Sequence, residues 1–257
     1  MRANYHTHTA RCRHAEGNDE AYVQAAMEAG FEVLGFSDHA PFPFANGYES
    51  RIRMTCAQLP DYTASINALR DRYAGQIKLH LGLECEYFPR YADHIRRMLD
   101  EDVTYLILGQ HFPDSEEDTS ASTVGGKTDD GVLRYAESAA NAIRTGLFAY
   151  VAHPDLYMKY RTDDQFTPAC EQAADMVCQA ALEARIPLEF NLLGQLEGVG
   201  YPSQAFWEYA RKWNNPVIFG IDAHDPAHFL AADNIERGQK RVAVLGYTIL
   251  DHLPMDD

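Results

Sequence analysis

The chain has 257 residues, 46% of them hydrophobic and 23% charged, as is typical of one large globular domain. Its 22 lysines and arginines against 38 aspartates and glutamates give a net charge of −16, which repels polyanions and argues against nucleic-acid binding. No apolar run approaches the ~20 residues of a membrane span, and the N-terminus does not resemble a signal peptide. Five cysteines, without a Cys-x-x-Cys pair, favour a reducing compartment. We therefore expect a cytoplasmic protein without a membrane or nucleic-acid partner; the oligomeric state stays open.

In chain order, short apolar runs alternate with amphipathic segments. The predicted strands are residues 4–9, 33–36, 77–83, 104–108, 148–152, 187–191 and 216–221. The predicted helices are residues 19–29, 59–73, 91–100, 131–144, 168–184, 204–212 and 233–245, and residues 113–130 are predicted to form a long surface loop. Such alternation is typical of parallel strands joined by crossovers. It predicts an α/β fold, a closed TIM-like (β/α) barrel, formed as a single domain by residues 1–257.

Histidines and acids cluster where the predicted strands end. The set comprises His6, His8, His14, Asp38, His39, Glu84, His111, His153, Asp222 and His224; only His80, His94, His228 and His252 of the 11 histidines lie elsewhere. In barrels of this type the chemistry lies at the carboxyl ends of the strands. Imidazole and carboxylate ligands without thiolates favour Zn, Mn or Fe. There are too many ligands for one ion, so two or three are expected, and Glu84 can bridge two of them.

These residues fall in an ordered series of motifs. The series is His6-Thr7-His8 with His14, Ser37-Asp38-His39, Gly82-Leu83-Glu84, Gln110-His111, His153-Pro154-Asp155 and Asp222-Ala223-His224. It resembles the PHP (polymerase and histidinol phosphatase) superfamily over essentially the whole chain, and residues 5–17 and 35–41 resemble its histidinol-phosphatase branch. The resemblance implies a distorted (β/α)7 barrel with three divalent ions. It implies one ion on His6, His8, Glu84 and Asp222, a second on Glu84, His111 and His153, and a third on His14, His39 and His224.

The resemblance also implies an activity. We expect a phosphomonoesterase that hydrolyses L-histidinol phosphate to L-histidinol and phosphate through a metal-bridged hydroxide. Asp222 is a candidate for proton transfer or a plain ligand, and Asp38 is expected to orient His39 or another ligand. Arg161 is the candidate clamp for the phosphate, because a guanidinium matches phosphate oxygens bidentately. Two alternatives stay open: a PHP phosphoesterase for another phosphorylated metabolite or nucleotide, and a noncatalytic metal-binding scaffold.

Three other features receive a different interpretation. Residues 121–128 nearly match a phosphate-binding loop, but Ala121 replaces its first glycine and no strand precedes it, so a nucleotide role is not expected. Cys12 lies between His8 and His14 and could approach a metal, although an ordinary thiol is the favoured interpretation. Arg11, Arg13, Arg51 and Arg53 could line the mouth of the pocket, but each is interpreted as a surface charge.

Overall fold

Seven parallel strands form one sheet in which each strand pairs with the next along the chain. The computed structural model describes residues 1–117 and 127–256. The strands are β1 (Ala3–Asn4), β2 (Val33–His39), β3 (Lys78–Cys85), β4 (Tyr105–Leu108), β5 (Tyr150–Val151), β6 (Leu188–Asn191) and β7 (Val217–Gly220). A parallel bridge between Thr7 and Ala223 joins the segments that follow β1 and β7. The sheet thus closes on itself, which confirms the predicted distorted (β/α)7 barrel.

Helices cover the outside of the barrel. In the described residues they are α1 (Asp19–Glu28), α2 (Leu59–Arg72), α3 (Ala92–Arg97), α4 (Asp129–Ile143), α5 (Pro168–Ala184), α6 (Leu192–Glu197), α7 (Gln204–Ala210) and α8 (Ala232–Leu245). Their apolar residues, such as Tyr135 of α4 and Val177 of α5, share a buried core with the outward side chains of the strands. None of these described helices has the length and hydrophobicity that crossing a membrane requires.

Local sequence features explain where the elements begin and end. The Asn18 side chain accepts a hydrogen bond from the Ala21 N–H (2.9 Å) and caps α1, and Gly30 follows with a φ of +80° that glycine adopts without strain. The predicted opening strand 4–9 is wrong in extent, because β1 ends at Asn4. There the Asn4 side chain donates to Thr7 Oγ1 (2.8 Å), and the chain leaves the regular ladder.

A second, smaller apolar cluster fills the inside of the barrel. Tyr5, Tyr105 and Tyr150 lie in it together with Leu253 from the C-terminal segment. The backbone N–H of Leu253 donates to the Tyr5 hydroxyl (3.0 Å). This packing closes the end of the barrel at which the strands begin, so the opposite end carries the open cavity.

The predicted loop 113–130 is only partly described. Helix α4 begins at Asp129, so the predicted loop is two residues too long at its end. Residues 121–126 of the near match to a phosphate-binding loop lie outside the described residues.

Candidate metal centre

All nine predicted metal ligands lie at the end of the barrel where the strands finish. His6 and His8 follow β1, His14 lies in the next loop, His39 and Glu84 end β2 and β3, His111 and His153 follow β4 and β5, and Asp222 and His224 follow β7. Six of them are buried, whereas His14 is exposed and His111 and His224 are half-buried. Closure of the barrel brings these side chains, from six different strands, into one cluster.

Glu84 lies at the centre of the cluster, and its two carboxylate oxygens face different histidines. Oε2 lies 3.0 Å from His39 Nδ1, 3.5 Å from His8 Nε2 and 3.6 Å from His6 Nε2. Oε1 lies 2.8 Å from His153 Nε2 and 3.6 Å from His111 Nε2. Each carboxylate oxygen of Glu84 thus faces its own set of imidazole nitrogens, which is the arrangement required of a carboxylate that bridges two ions.

Gly109 makes room for this carboxylate. A Cβ atom at position 109 would lie 1.9 Å from Glu84 Oε1, far inside van der Waals contact. Any larger residue would therefore displace Glu84 or the chain that follows β4.

Asp222 and His153 are held in unusual backbone conformations. Their φ angles are +57° and +30°, in a region that residues other than glycine rarely adopt. Asp222 Oδ1 thereby lies 3.0 Å from His8 Nε2 and 3.3 Å from His6 Nε2. Strained conformations of this kind are common at functional sites, where the surrounding structure maintains them.

An outer group of histidines lies closer to solvent. His14 Nε2 and His224 Nε2 are 3.0 Å apart, and the centroid of the His39 ring lies 5.4 Å from that of His14. Two imidazole nitrogens at this distance share a proton or a cation. Cys12 is buried beside them, and its sulfur lies within 4.8 Å of a nitrogen of both His14 and His224.

The residues fit the metal centre that the motif series implies. Several buried atoms of the cluster make no well-directed hydrogen bond, although some lie close to one another: His6 Nε2, both ring nitrogens of His8, His39 Nδ1, His153 Nδ1 and Asp222 Oδ1. A buried polar atom without a partner costs about 1–3 kcal/mol. Groups such as His6, His8 and Asp222 place their ligand atoms within 4.8 Å of one another, as a shared cation requires. Imidazole and carboxylate donors suit Zn, Mn and Fe.

The protein's own charges shift the ionisation of this cluster. Burial lowers the pKa of His6, but the carboxylates of Asp222, Glu189 and Glu84 outweigh it and raise the pKa to about 10. Burial raises the pKa of Glu84, but His111, His39 and His6 outweigh it and hold that pKa well below its usual range. A cation that binds here therefore finds ionised carboxylates and must displace a proton from His6.

Two buried carboxylates behind the cluster are absent from the sequence prediction. Glu189 Oε2 lies 2.9 Å from His6 Nδ1, and Glu86 Oε1 lies 3.0 Å from His111 Nδ1. Each occupies the far ring nitrogen and leaves Nε2 directed towards the cluster. The sequence does contain a signal for both residues. Glu189 interrupts an apolar strand, and Glu86 lies two residues after Glu84, a spacing that places both side chains on the same face of a strand.

The sequence predicts that Asp38 orients His39 or another ligand, and the structure places its carboxylate beside His8. Its Oδ1 lies 3.6 Å from His8 Nδ1, whereas its contact with His39 is a bond accepted from the backbone N–H (2.8 Å). The Thr9 hydroxyl donates to the other oxygen. The Asp38 carboxylate thus lies beside the His8 ring at ion-pair distance without a hydrogen bond, and its hydrogen bond to His39 involves the backbone.

The cluster forms one wall of a cavity of about 380 Å³. The lining comprises His14, His39, Ile52, Glu84, His111, His153, Leu156, Lys159, Tyr160, Leu193, Glu197, Tyr201, Asp222 and His224. Arg161, the predicted phosphate clamp, is not in this lining; its guanidinium donates to Asp129 Oδ1 (2.8 Å) and to the Gln165 carbonyl (3.2 Å). Lys159 is the cation of the lining, so the geometry does not favour Arg161 for that role.

Arg53 also differs from its prediction. It is 1% exposed and lies between Glu86 and Glu116, so its interpretation as a surface charge is wrong.

Comparison with known proteins places this site in context. The family model of the PHP domain matches residues 4–192. A probable histidinol-phosphatase of Deinococcus radiodurans is 32% identical over 246 residues, which cover 90% of each chain. The histidinol-phosphatase of Bacillus subtilis is 28% identical over 247 residues, which cover 85% of this chain and 92% of the relative.

A solved structure shares the fold. It is the histidinol phosphate phosphatase of Lactococcus lactis, determined in complex with Zn, L-histidinol and phosphate. It superposes with a TM-score of 0.75 and covers 98% of this chain and 96% of its own, at 16% sequence identity. At that identity the likeness establishes the fold alone.

Proposed function

Because the chain belongs to the PHP domain family, we propose that it is a metal-dependent phosphomonoesterase that hydrolyses L-histidinol phosphate to L-histidinol and phosphate. The convergence of histidines and carboxylates around Glu84 carries this proposal. The curated relatives that span most of the chain are named for the same activity. The structural neighbour from Lactococcus lactis, with its Zn, L-histidinol and phosphate, supports the same chemistry.

We propose three ion positions. The first is held by His6, His8, Glu84 and Asp222, the second by Glu84, His111 and His153, and the third by His14, His39 and His224. The division of the Glu84 oxygens between two sets of histidines supports the first two, and the close approach of His14 to His224 supports the third. When bound, divalent cations would neutralise phosphate oxygens and lower the pKa of the attacking water. Zn, Mn and Fe all suit these donors.

Asp222 acts in this proposal as a ligand and a proton acceptor. Its Oδ2 accepts a hydrogen bond from Asn191 Nδ2 (3.1 Å), so that oxygen is fixed. Burial raises the pKa of Asp222, but His6 and His8 outweigh it and hold the pKa well below its usual range. An ionised carboxylate can accept a proton from the attacking water, and the acid so formed can pass that proton to the leaving alkoxide.

The remaining cavity wall suits an aminated, aromatic phosphomonoester. Neither Lys159 nor Glu197 has an ion-pair partner among the described residues, although both line the cavity. We assign Lys159 to the phosphate and Glu197 to the substrate ammonium. Leu193 and Tyr201 offer apolar surface for the imidazole. Lys159→Ala should raise KM more than Arg161→Ala does; the reverse order would restore Arg161 as the clamp.

Phosphate release from a panel of phosphomonoesters tests the function. Protein reconstituted with Mn²⁺ or Zn²⁺ should cleave L-histidinol phosphate with a higher kcat/KM than sugar phosphates, nucleoside monophosphates or p-nitrophenyl phosphate. A protein that cleaves the others and leaves L-histidinol phosphate intact would contradict the substrate. A metal-loaded protein inert towards every ester would contradict the enzymatic role.

We also infer a cytoplasmic location. All five cysteines are free, as is usual in a reducing compartment.

A further inference from the structure

Arg53 is enclosed completely and uses four of its five N–H groups. Nη1 and Nη2 donate to the two oxygens of Glu86 (2.8 Å each), and Nη1 also donates to the Ala40 carbonyl (3.0 Å). Nε donates to Glu116 Oε2 (2.7 Å), and the guanidinium carbon lies 5.3 Å from the centre of the Phe42 ring. Only a planar fork matches these partners, and a lysine ammonium cannot reproduce them.

Glu86 connects this arginine to the candidate metal centre. Its Oε1 receives Arg53 Nη2 and also lies 3.0 Å from His111 Nδ1. Since Glu86 is fully buried, its charge requires a partner, and Arg53 supplies that charge. An ionised Glu86 can only accept, so His111 Nδ1 carries a proton and Nε2 is the ring nitrogen left to bind a cation beside Glu84.

The same guanidinium is tied to the wall of the cavity. Glu116 Oε1 accepts hydrogen bonds from the hydroxyls of Ser50 (2.5 Å) and Tyr48 (3.1 Å). Ile52, beside Arg53 in the chain, lines the cavity. Arg53 therefore binds two buried carboxylates: Glu116, which holds the segment that lines the cavity, and Glu86, which contacts the His111 ring.

We propose that Arg53 is a positioning residue that fixes, through Glu86, the orientation and tautomer of His111 for metal binding. It acts through Glu86 and does not touch the reacting atoms. This inference rests on the metal centre of the proposed function. Loss of such a supporting hydrogen bond lowers metal affinity by about ten- to a hundredfold. The loss should fall on the ion held by Glu84, His111 and His153.

The test compares three variants of the full-length protein. In Arg53→Met and in Glu86→Gln, one of the bound Zn²⁺ ions should be held about ten- to a hundredfold more weakly. Competition with a chromophoric chelator measures this affinity. Arg53→Lys, which keeps the charge without the fork, should recover part of it. The ¹⁵N shifts of the His111 ring, assigned by comparison with His111→Asn, should show the Nδ1–H form in the unsubstituted protein and a mixture of tautomers in Glu86→Gln.

Glu116→Gln is the matched control. It removes the partner of Arg53 Nε inside the same buried network but leaves the contact between Glu86 and His111, so it should lower Tm and keep Zn²⁺ affinity. The inference is overturned if Arg53→Met and Glu86→Gln bind Zn²⁺ as the unsubstituted protein does, or if Glu116→Gln loses as much affinity as they do. Should Arg53→Met fail to fold, Glu86→Gln decides. An unsubstituted protein that binds no metal would instead refute the proposed function.

Discussion

Replacing Gly109 by alanine adds one methyl group directly against the carboxylate on which the metal centre depends. That methyl carbon would lie 1.9 Å from Glu84 Oε1, so the two atoms must separate by about 1.5 Å to reach ordinary contact. Glu84 is buried among five histidines and cannot move away without leaving some of them. A misplacement of about 1 Å can cost a factor of about 100 in rate. We therefore expect kcat to fall about a hundredfold and the content of tightly bound metal to fall with it.

Metal analysis after gel filtration, together with steady-state phosphate release, measures both effects. Gly238→Ala is a matched control, because its Cβ would meet Leu192 Cδ2 at 2.5 Å and not a side chain of the metal centre. Both variants should lose about 1–3 kcal/mol of unfolding free energy through overpacking, and only Gly109→Ala should lose metal. A Gly109→Ala protein with unchanged kcat and metal content would refute the central position assigned to Glu84.

Three further predictions concern the cavity, the protons and the closed end of the barrel. Glu197→Gln should raise KM for L-histidinol phosphate about three- to tenfold and leave KM for an ester without an amine unchanged; an equal rise for both would contradict the ammonium contact. Because the pKa of His6 is raised to about 10, Zn²⁺ binding to metal-free protein should release protons, and Zn²⁺ affinity should weaken as the pH falls from 8 to 6. Calorimetry in buffers of different ionisation enthalpy measures the number of protons released. Binding without proton release would speak against His6 as a ligand. Asp256→Ala should lower Tm by about 3 °C, with unchanged metal content, because Asp256 accepts from Lys78 (2.6 Å) and His80 (2.7 Å) at the far end of the barrel; an unchanged Tm would show that these contacts are dispensable.

Local sequence patterns predict most of the fold because residues at the ends of an element indicate where it begins and ends. Helix α5 has the predicted bounds, since Pro168 is suited to the first helical turn and the apolar period ends at Ala184. Helix α6 is missing from the prediction because six residues are too few to display a period. Its start depends on Asn191, whose side chain accepts from the Gly194 N–H (2.8 Å) directly after β6.

The candidate ligands are predictable for a different reason. Each lies at the end of a strand or in the segment that follows it, and the ends of the parallel strands of a barrel meet in one place, so residue type and position suffice. The supporting residues depend on contacts that no local pattern contains. Glu189 meets His6 across 183 positions, and the environment of Arg53 exists only after Glu86 and Glu116 have been brought together by folding.

The central claim is that the side chains around Glu84 hold divalent cations and that these cations make the chain a phosphomonoesterase. The most direct test titrates metal-free protein with Mn²⁺ or Zn²⁺ and follows bound metal and phosphate release from L-histidinol phosphate in the same samples. The account predicts that activity rises in proportion to bound metal, disappears with a chelator and fails to appear in His8→Asn. Full activity in protein that carries far less than one ion per chain would contradict it.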